Sequence, residues 1–318
     1  MRGLARPFAT KEWFECLHQP DLLELVRSHP LILSKLQRPY LYRGLTIGEQ
    51  LQFLKEHYTF MLRTFPVEVR SKIYSRTGTP LAKIILPDVG GYNLFLFYGD
   101  MFQKEGELTL VLSNEQTGGR LFALTFTIIN EKPDSREIFI GGLQGFRRTT
   151  DKEEVVLLTR AMHGLRPKAL LLFSLQQLAI DWDVKSIRAV SDRRSIYTDF
   201  RLKKKNVLAS YDEFWTDSQG VLGQDGLFIL PPLFVARDIS EIKPAKRSLY
   251  RRRYDMLNSL AIQLHTHVHL STRMFQSDYD VAPKAEGSTE SQTVIQRILT
   301  TSKTITTPET DPPGQETD

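Results

Sequence analysis

The sequence predicts an α+β fold: an N-terminal helical region, a mainly antiparallel mixed sheet holding a buried helix, a C-terminal basic helix and a disordered tail. Three observations carry that prediction. Apolar residues step by three and four within residues 1–66, and they alternate with period two from about Leu81 to Gly145. From Lys168 to Trp182 they surround the segment on almost every side, as in a helix buried against a sheet. The boundaries fall at 1–66, 67–242, 243–275 and 276–318.

Thr10 is placed to cap a first short helix, and Asp21 opens a second that stops at Ser28-His29-Pro30. Thr46 precedes the clearest helical pattern, with Leu51, Leu54, Tyr58, Met61 and Phe65 on one face. The period then changes. Leu94, Leu96 and Tyr98 alternate with Phe95 and Phe97, so this strand is apolar on both faces. Leu108, Leu110 and Leu112 form the next strand, and the turn Asn114 to Gly119 leads into Phe122, Leu124, Phe126 and Ile128. A polar run from Asn130 to Ser135 precedes Ile138-Phe139-Ile140, which completes an antiparallel meander of about four strands.

Thr150-Asp151-Lys152-Glu153 has the capping-box pattern, opening a helix that reaches His163 and stops at Gly164. Pro167 suits the first position of the buried helix, whose polar residues are confined to Ser174, Gln177 and Asp181. A strand at Ile187–Ser191, a polar helix near Arg194 to Lys203, and strands around Leu208 to Phe214 and Leu227 to Leu230 follow. Residues 244–270 form an amphipathic helix with the apolar stripe Tyr250, Tyr254, Leu257, Ala261 and Leu264. Beyond Gln276, Ser, Thr, Pro and Glu dominate, which predicts the disordered tail.

Composition narrows the class. With 41% hydrophobic and 25% charged residues, the chain is neither collagen-like nor disordered throughout. A single cysteine, Cys16, excludes an internal disulfide and fits a reducing compartment. No apolar run reaches the 18 or so residues of a spanning helix, and no leader pattern is present. The expected location is the cytoplasm, with at most a peripheral hold on the inner membrane. From Gln276 to Asp318, eight acidic residues oppose three basic ones, so the +5 chain carries a body of about +10. Such a body favours acidic partners: an anionic membrane surface first, nucleic acid less so.

Taken together, Ile140-Gly141-Gly142-Leu143-Gln144-Gly145, His163-Gly164-Leu165-Arg166-Pro167-Lys168, Tyr211-Asp212-Glu213-Phe214-Trp215 and Tyr250-Arg251-Arg252-Arg253-Tyr254 resemble the VirK/YbjX family. The resemblance covers roughly residues 20–265. It implies a bacterial cytoplasmic protein tied to virulence, envelope integrity and antimicrobial-peptide resistance, with an envelope-biogenesis protein as a partner class. It implies no catalytic residues. The order of elements is also similar to the GCN5-related N-acetyltransferase fold, which implies acyl-coenzyme A as a cofactor. Here the fold's short pyrophosphate loop is replaced by Phe146 to Arg166, and its glycine signature is absent.

Within that order, the helix start Arg166-Pro167-Lys168 offers unpaired backbone N–H groups, the positive end of a dipole and two cations to a phosphate. Arg147 and Arg148 follow the glycine-rich strand end and can join it. A transferase also needs a proton acceptor, for which His163, Glu137 and Asp192 are candidates, and Tyr197 is a candidate acid for the departing thiolate. Each has a purely structural alternative. Lys243, Lys246, Arg247, Arg251, Arg252 and Arg253 put six charges into eleven residues, which suits an anionic membrane, a nucleic acid backbone or simply a solvated helix face. His265, His267 and His269 lack a third ligand on one face, so no metal site is expected. Nucleophile-elbow, Walker and paired-cysteine motifs are absent. Two functions follow: a non-catalytic membrane- or partner-binding factor, or an acyl-coenzyme A-dependent acyltransferase.

Overall fold

A computed structural model describes residues 7–130, 132, 134–146, 152–197 and 210–276, with side chains as far as Val268. Helix α1 is Pro7–Leu17, starting before Thr10. The second helical segment opens as a 3-10 turn at Pro20–Leu22 and continues as α2, Leu23–Ser28. Pro30–Gln37 is a further 3-10 helix that no cap or period announces, started by a proline whose fixed φ suits it. α3 spans Ile47–Thr64 behind a complete capping box: the Thr46 hydroxyl accepts from the Glu49 N–H at 3.2 Å, and Glu49 accepts from the Thr46 N–H at 2.8 Å. α4, Val67–Tyr74, follows.

The sheet has eight strands in the order β1-β2-β3-β4-β5-β6-β8-β7. Five of them form the antiparallel meander, rather than about four: β1 Thr79–Leu86, β2 Gly90–Phe97, β3 Leu108–Asn114, β4 Arg120–Ile129 and β5 Glu137–Gly145. α5, Lys152–Ala161, and α6, Pro167–Asp181, then lead to β6, Ser186–Val190, which pairs parallel with β5. The predicted strand around Leu208 to Phe214 is instead α7, Tyr211–Asp217. The Ser210 hydroxyl accepts from the Glu213 N–H at 3.1 Å, and Asp212 and Glu213 complement the dipole in its first turn. Of the predicted Arg194 to Lys203 helix, residues 194–197 are turns and a bridge, and the remainder lies outside the described residues. Two short strands close the sheet, β7 Val221–Leu222 and β8 Leu227–Leu230.

α8, Pro244–Gln276, lays Leu257, Leu260 and Leu264 against α6 and β1. The sparse polar stripe of α6 has a use here. His265 Nδ1 meets Asp181 Oδ1 at 2.7 Å, and its Nε2 meets Gln177 Oε1 at 3.3 Å. One apolar core runs from Trp13 and Leu54 through Phe126 and Leu175 to Leu264, so helices and sheet share it. The predicted tail lies outside the described residues.

Buried polar groups tie the N-terminal helices to the sheet. His57 of α3 accepts the Ile128 N–H at 3.2 Å, and burial pushes its imidazole down to about 4. An unfolded histidine titrates near 6.5, so between these values the unfolded chain binds the extra proton. Stability is therefore full above about pH 6.5 and falls by about 3 kcal/mol as pH drops towards 4. Urea unfolding across this window should show that slope, and His57→Gln should flatten it; an equal slope in the variant would assign the acid sensitivity elsewhere.

Candidate functional site

The central feature is a parting of β5 from β6. The two strands pair only from Glu137–Ser186 to Ile140–Ala189. Against β4 the register jumps from Thr125–Gly142 to Phe126–Ile140, so Gly141 is a bulge residue. β5 continues to Gly145 while β6 ends at Val190, and the strands separate. Against this end of β5 lies Glu105, from the loop before β3. A Cβ on Gly141 would sit 2.0 Å from the Glu105 carbonyl oxygen, and one on Gly142 would sit 1.9 Å from its carboxylate. At Gly141, where the close atom is backbone, only glycine allows that approach.

The Glu105 carboxylate is 2% exposed and accepts from Gln144 Nε2, which lies 3.2 Å from each oxygen. Beside it, the Leu143 N–H donates to the Tyr211 hydroxyl at 3.4 Å. The Glu105 charge is felt at Tyr197: burial, then that charge and Tyr211, hold its phenol well above the usual range.

A cavity of about 460 Å³ opens where α5, α7 and the start of α6 meet. Its apolar wall is Phe122, Val155, Val156 and Phe214, and its rim carries Arg160, Arg166, Lys168, Glu213 and Asp217. Pro167 occupies the first turn of α6, and no described side chain caps that helix. Arg166 lies 3.7 Å from Asp217, both well exposed, and the Lys168 ammonium sits 6.0 Å from the centre of the Phe214 ring. The cavity and the strand gap are neighbours: Phe122 pairs with Gly145 at the end of β5, and Ser210 precedes Tyr211.

The family model described as "Protein of unknown function (DUF535)" matches residues 1–266. The chain belongs to that family. It is 33% identical over 269 residues to "Uncharacterized protein YbjX" of Escherichia coli strain K12, covering 84% of this chain and 81% of the relative. The VirK/YbjX resemblance read from the motifs is thereby borne out. An "Uncharacterized protein" of Haemophilus influenzae is 29% identical over 161 residues, half of this chain and 52% of its own length. Among solved structures, a cAMP-binding acyltransferase from Mycobacterium smegmatis overlaps with a TM-score of 0.29 and 8% identity. That overlap covers 69% of this chain and 62% of the acyltransferase, less than two thirds of its length, and is too low to bear on function.

In this DUF535 chain the sequence-derived candidates have separate places. Asp192 holds the start of α7: it accepts from the Ser210 hydroxyl at 2.6 Å and the Tyr211 N–H at 3.1 Å. Glu137 begins β5, about 20 Å from Leu143 along the strand. There it accepts from the Ser186 hydroxyl at 2.6 Å, and burial pushes its carboxyl up. His163 has a positive φ of 55° and, with Gly164 at 78°, ends α5. Its carbonyl accepts from Arg253 Nε at 3.1 Å and Nη2 at 2.7 Å, and burial followed by Arg252 and Arg253 pushes its imidazole down. Of the four, Tyr197 is the one whose phenol is raised by the Glu105 charge as well as by burial. Arg147 and Arg148 lie outside the described residues.

The basic segment divides as well. Arg247 donates to the Ile242 and Ser240 carbonyls at 2.9 and 3.0 Å, and Arg253 clamps the turn at His163. Lys243, Lys246, Arg251 and Arg252 stay exposed. His265 is committed to Asp181, and the His269 side chain is outside the described residues; among those residues no three potential ligands group together. Glu105, absent from the candidates above, had one signal in the sequence. Two adjacent glycines inside a strand mark a close approach of other atoms.

Proposed function

We infer that the chain binds an acyl thioester at the start of α6 and passes its acyl group to an acceptor in the gap between β5 and β6. The observation that carries this reading is the position of the cavity: an uncapped helix start, two flanking cations and an apolar wall open beside a strand pair that has come apart. Backbone N–H groups, the helix dipole, Arg166 and Lys168 suit the phosphates of coenzyme A. Phe122, Val155, Val156 and Phe214 suit its less polar arm. Glu105, buried against β5, is assigned as the base that takes the acceptor's proton. The envelope-supporting role implied by the VirK/YbjX likeness is proposed on the same footing, as acyl transfer to an envelope component. A non-catalytic docking role for the basic helix is the second reading, favoured by the four exposed cations.

Thermal unfolding with coenzyme A, acetyl-coenzyme A and a long-chain acyl-coenzyme A tests the first reading. A ligand bound only by the folded chain adds roughly 2.7 kcal/mol at 100 times its Kd. The shift should vanish in Arg166→Ala/Lys168→Ala, while the unliganded midpoint of the variant, with Arg166 exposed and Lys168 half-buried, reports any change in the fold itself. An equal shift in the double variant overturns the assignment to this helix start.

A further inference from the structure

The later part of the α8 stripe, Leu257, Leu260 and Leu264, is consumed against α6 and β1, so it is not available to a membrane. Another apolar run is. Leu233, Phe234 and Val235 are 53%, 38% and 61% exposed, three consecutive residues on the segment between β8 and α8. Isolated exposed apolar residues are ordinary, but a contiguous run marks a contact surface. The segment is held in this pose. Phe234 packs edge-on to Phe173 with ring centres 5.2 Å apart, and the Tyr254 hydroxyl accepts the Arg237 N–H at 3.0 Å while donating to the Arg237 carbonyl at 3.2 Å. Leu233 and Val235 consequently stand outwards on an anchored backbone.

Positive charge surrounds them. Between Leu233 and Met256 seven basic residues stand against three acidic ones, Asp238, Glu241 and Asp255. Arg237, Lys243, Lys246, Arg251 and Arg252 are all exposed, on the segment itself or within the first turns of α8. A groove of about 220 Å³ joins the two elements, with Leu233, Val235, Arg237, Tyr250 and Tyr254 on its walls.

We propose that Leu233–Val235 and the cations of early α8 form one docking surface for an anionic lipid bilayer, with the apolar tips entering the headgroup boundary and the cations meeting lipid phosphates. A phosphate backbone alone would account for the charges but gives three exposed apolar side chains nothing to enter. A bilayer interface takes both. The proposal does not depend on the acyl-thioester reading, because it uses neither the cavity nor Glu105.

The test is co-sedimentation of the full chain with phosphatidylcholine vesicles, with and without phosphatidylglycerol, at low and high salt. Binding is expected only with phosphatidylglycerol and should fade as salt rises. Arg251→Gln/Arg252→Gln should weaken it by at least tenfold, at about fivefold per cation. Leu233→Asn/Val235→Asn should weaken it at least tenfold while shifting the thermal midpoint by no more than a few degrees, since more than half of each residue is already exposed. Failure to bind anionic vesicles, or an apolar variant that binds like the parent chain, overturns the proposal. So does tight binding of a single-stranded RNA that only the arginine variant loses, which would make the surface a nucleic acid site.

Discussion

Replacing Lys35 with methionine should lower the unfolding free energy by about 3–5 kcal/mol, the usual cost of leaving one member of a buried ion pair alone. Lys35 is on the 3-10 helix Pro30–Gln37, and Glu107 stands just before β3, 72 residues away. Their side chains are 2% and 0% exposed. Lys35 donates to Glu107 and, at 2.8 Å, to the Gln103 carbonyl. The Tyr58 hydroxyl of α3 donates to the other Glu107 oxygen at 2.5 Å. Burial alone would raise the Glu107 carboxyl, but Lys35 and His57, with hydrogen bonds from Lys35 and Tyr58, outweigh it and hold the group below its ordinary range. Without the ammonium, the carboxylate must either stay charged in the core or take a proton. Lys35→Met/Glu107→Gln removes that charge and should recover more than half of the loss. Urea midpoints of the three variants decide it: a single variant that loses less than 1 kcal/mol would show that the pair is not what joins the helices to the sheet.

That pair illustrates what the sequence withheld. Local signals were readable: Thr46 precedes the clearest helical pattern and does cap α3, and the all-round apolar Lys168–Trp182 segment is the buried helix. The period of two was read from about Leu81, inside β1, but no separate strand was drawn there, because Pro80 and the outward-facing Ile85 interrupt the alternation. Around Leu208 to Phe214 a strand was expected, where the cap at Ser210 opens a helix instead. Lys35 and Glu107 carry no pattern at all, because only the finished fold brings them together. The stripe on α8 likewise forecast a buried face without naming what buries it, and the basic residues beside it therefore read as an amphipathic membrane helix.

The site was legible in the same proportion. Arg166 and Lys168 stand out because a proline-started helix is a local feature, and the cavity does open there. Asp192 and Glu137 were selected for being carboxylates near the right strands, yet their oxygens hold Ser210 and Ser186. Glu105 escaped because its approach to β5 is a tertiary event recorded only by the glycines that make room for it.

Those glycines give the last prediction its shape. Glu105→Gln should slow release of free thiol from an acyl-coenzyme A by about 10²- to 10⁴-fold, the usual contribution of a positioned base, while coenzyme A binding stays as it was. In the proposed step the acceptor's N–H or O–H proton goes to Glu105 as its nitrogen or oxygen bonds to the acyl carbon. The carbon–sulfur bond breaks, and the thiolate leaves to be protonated. Glutamine has the same outline against Gly142 and still accepts from Gln144, so the pocket keeps its shape and loses only the proton acceptor. The cavity rim is on other elements, which is why binding and turnover separate. Coenzyme A binding without thiol release in the parent chain, or equal release in the variant, removes Glu105 from the chemistry and leaves the cavity as a binding site. Failure of both proteins to bind coenzyme A removes the acyl-thioester reading itself and leaves the proposed docking surface at Leu233–Val235 as the feature to pursue.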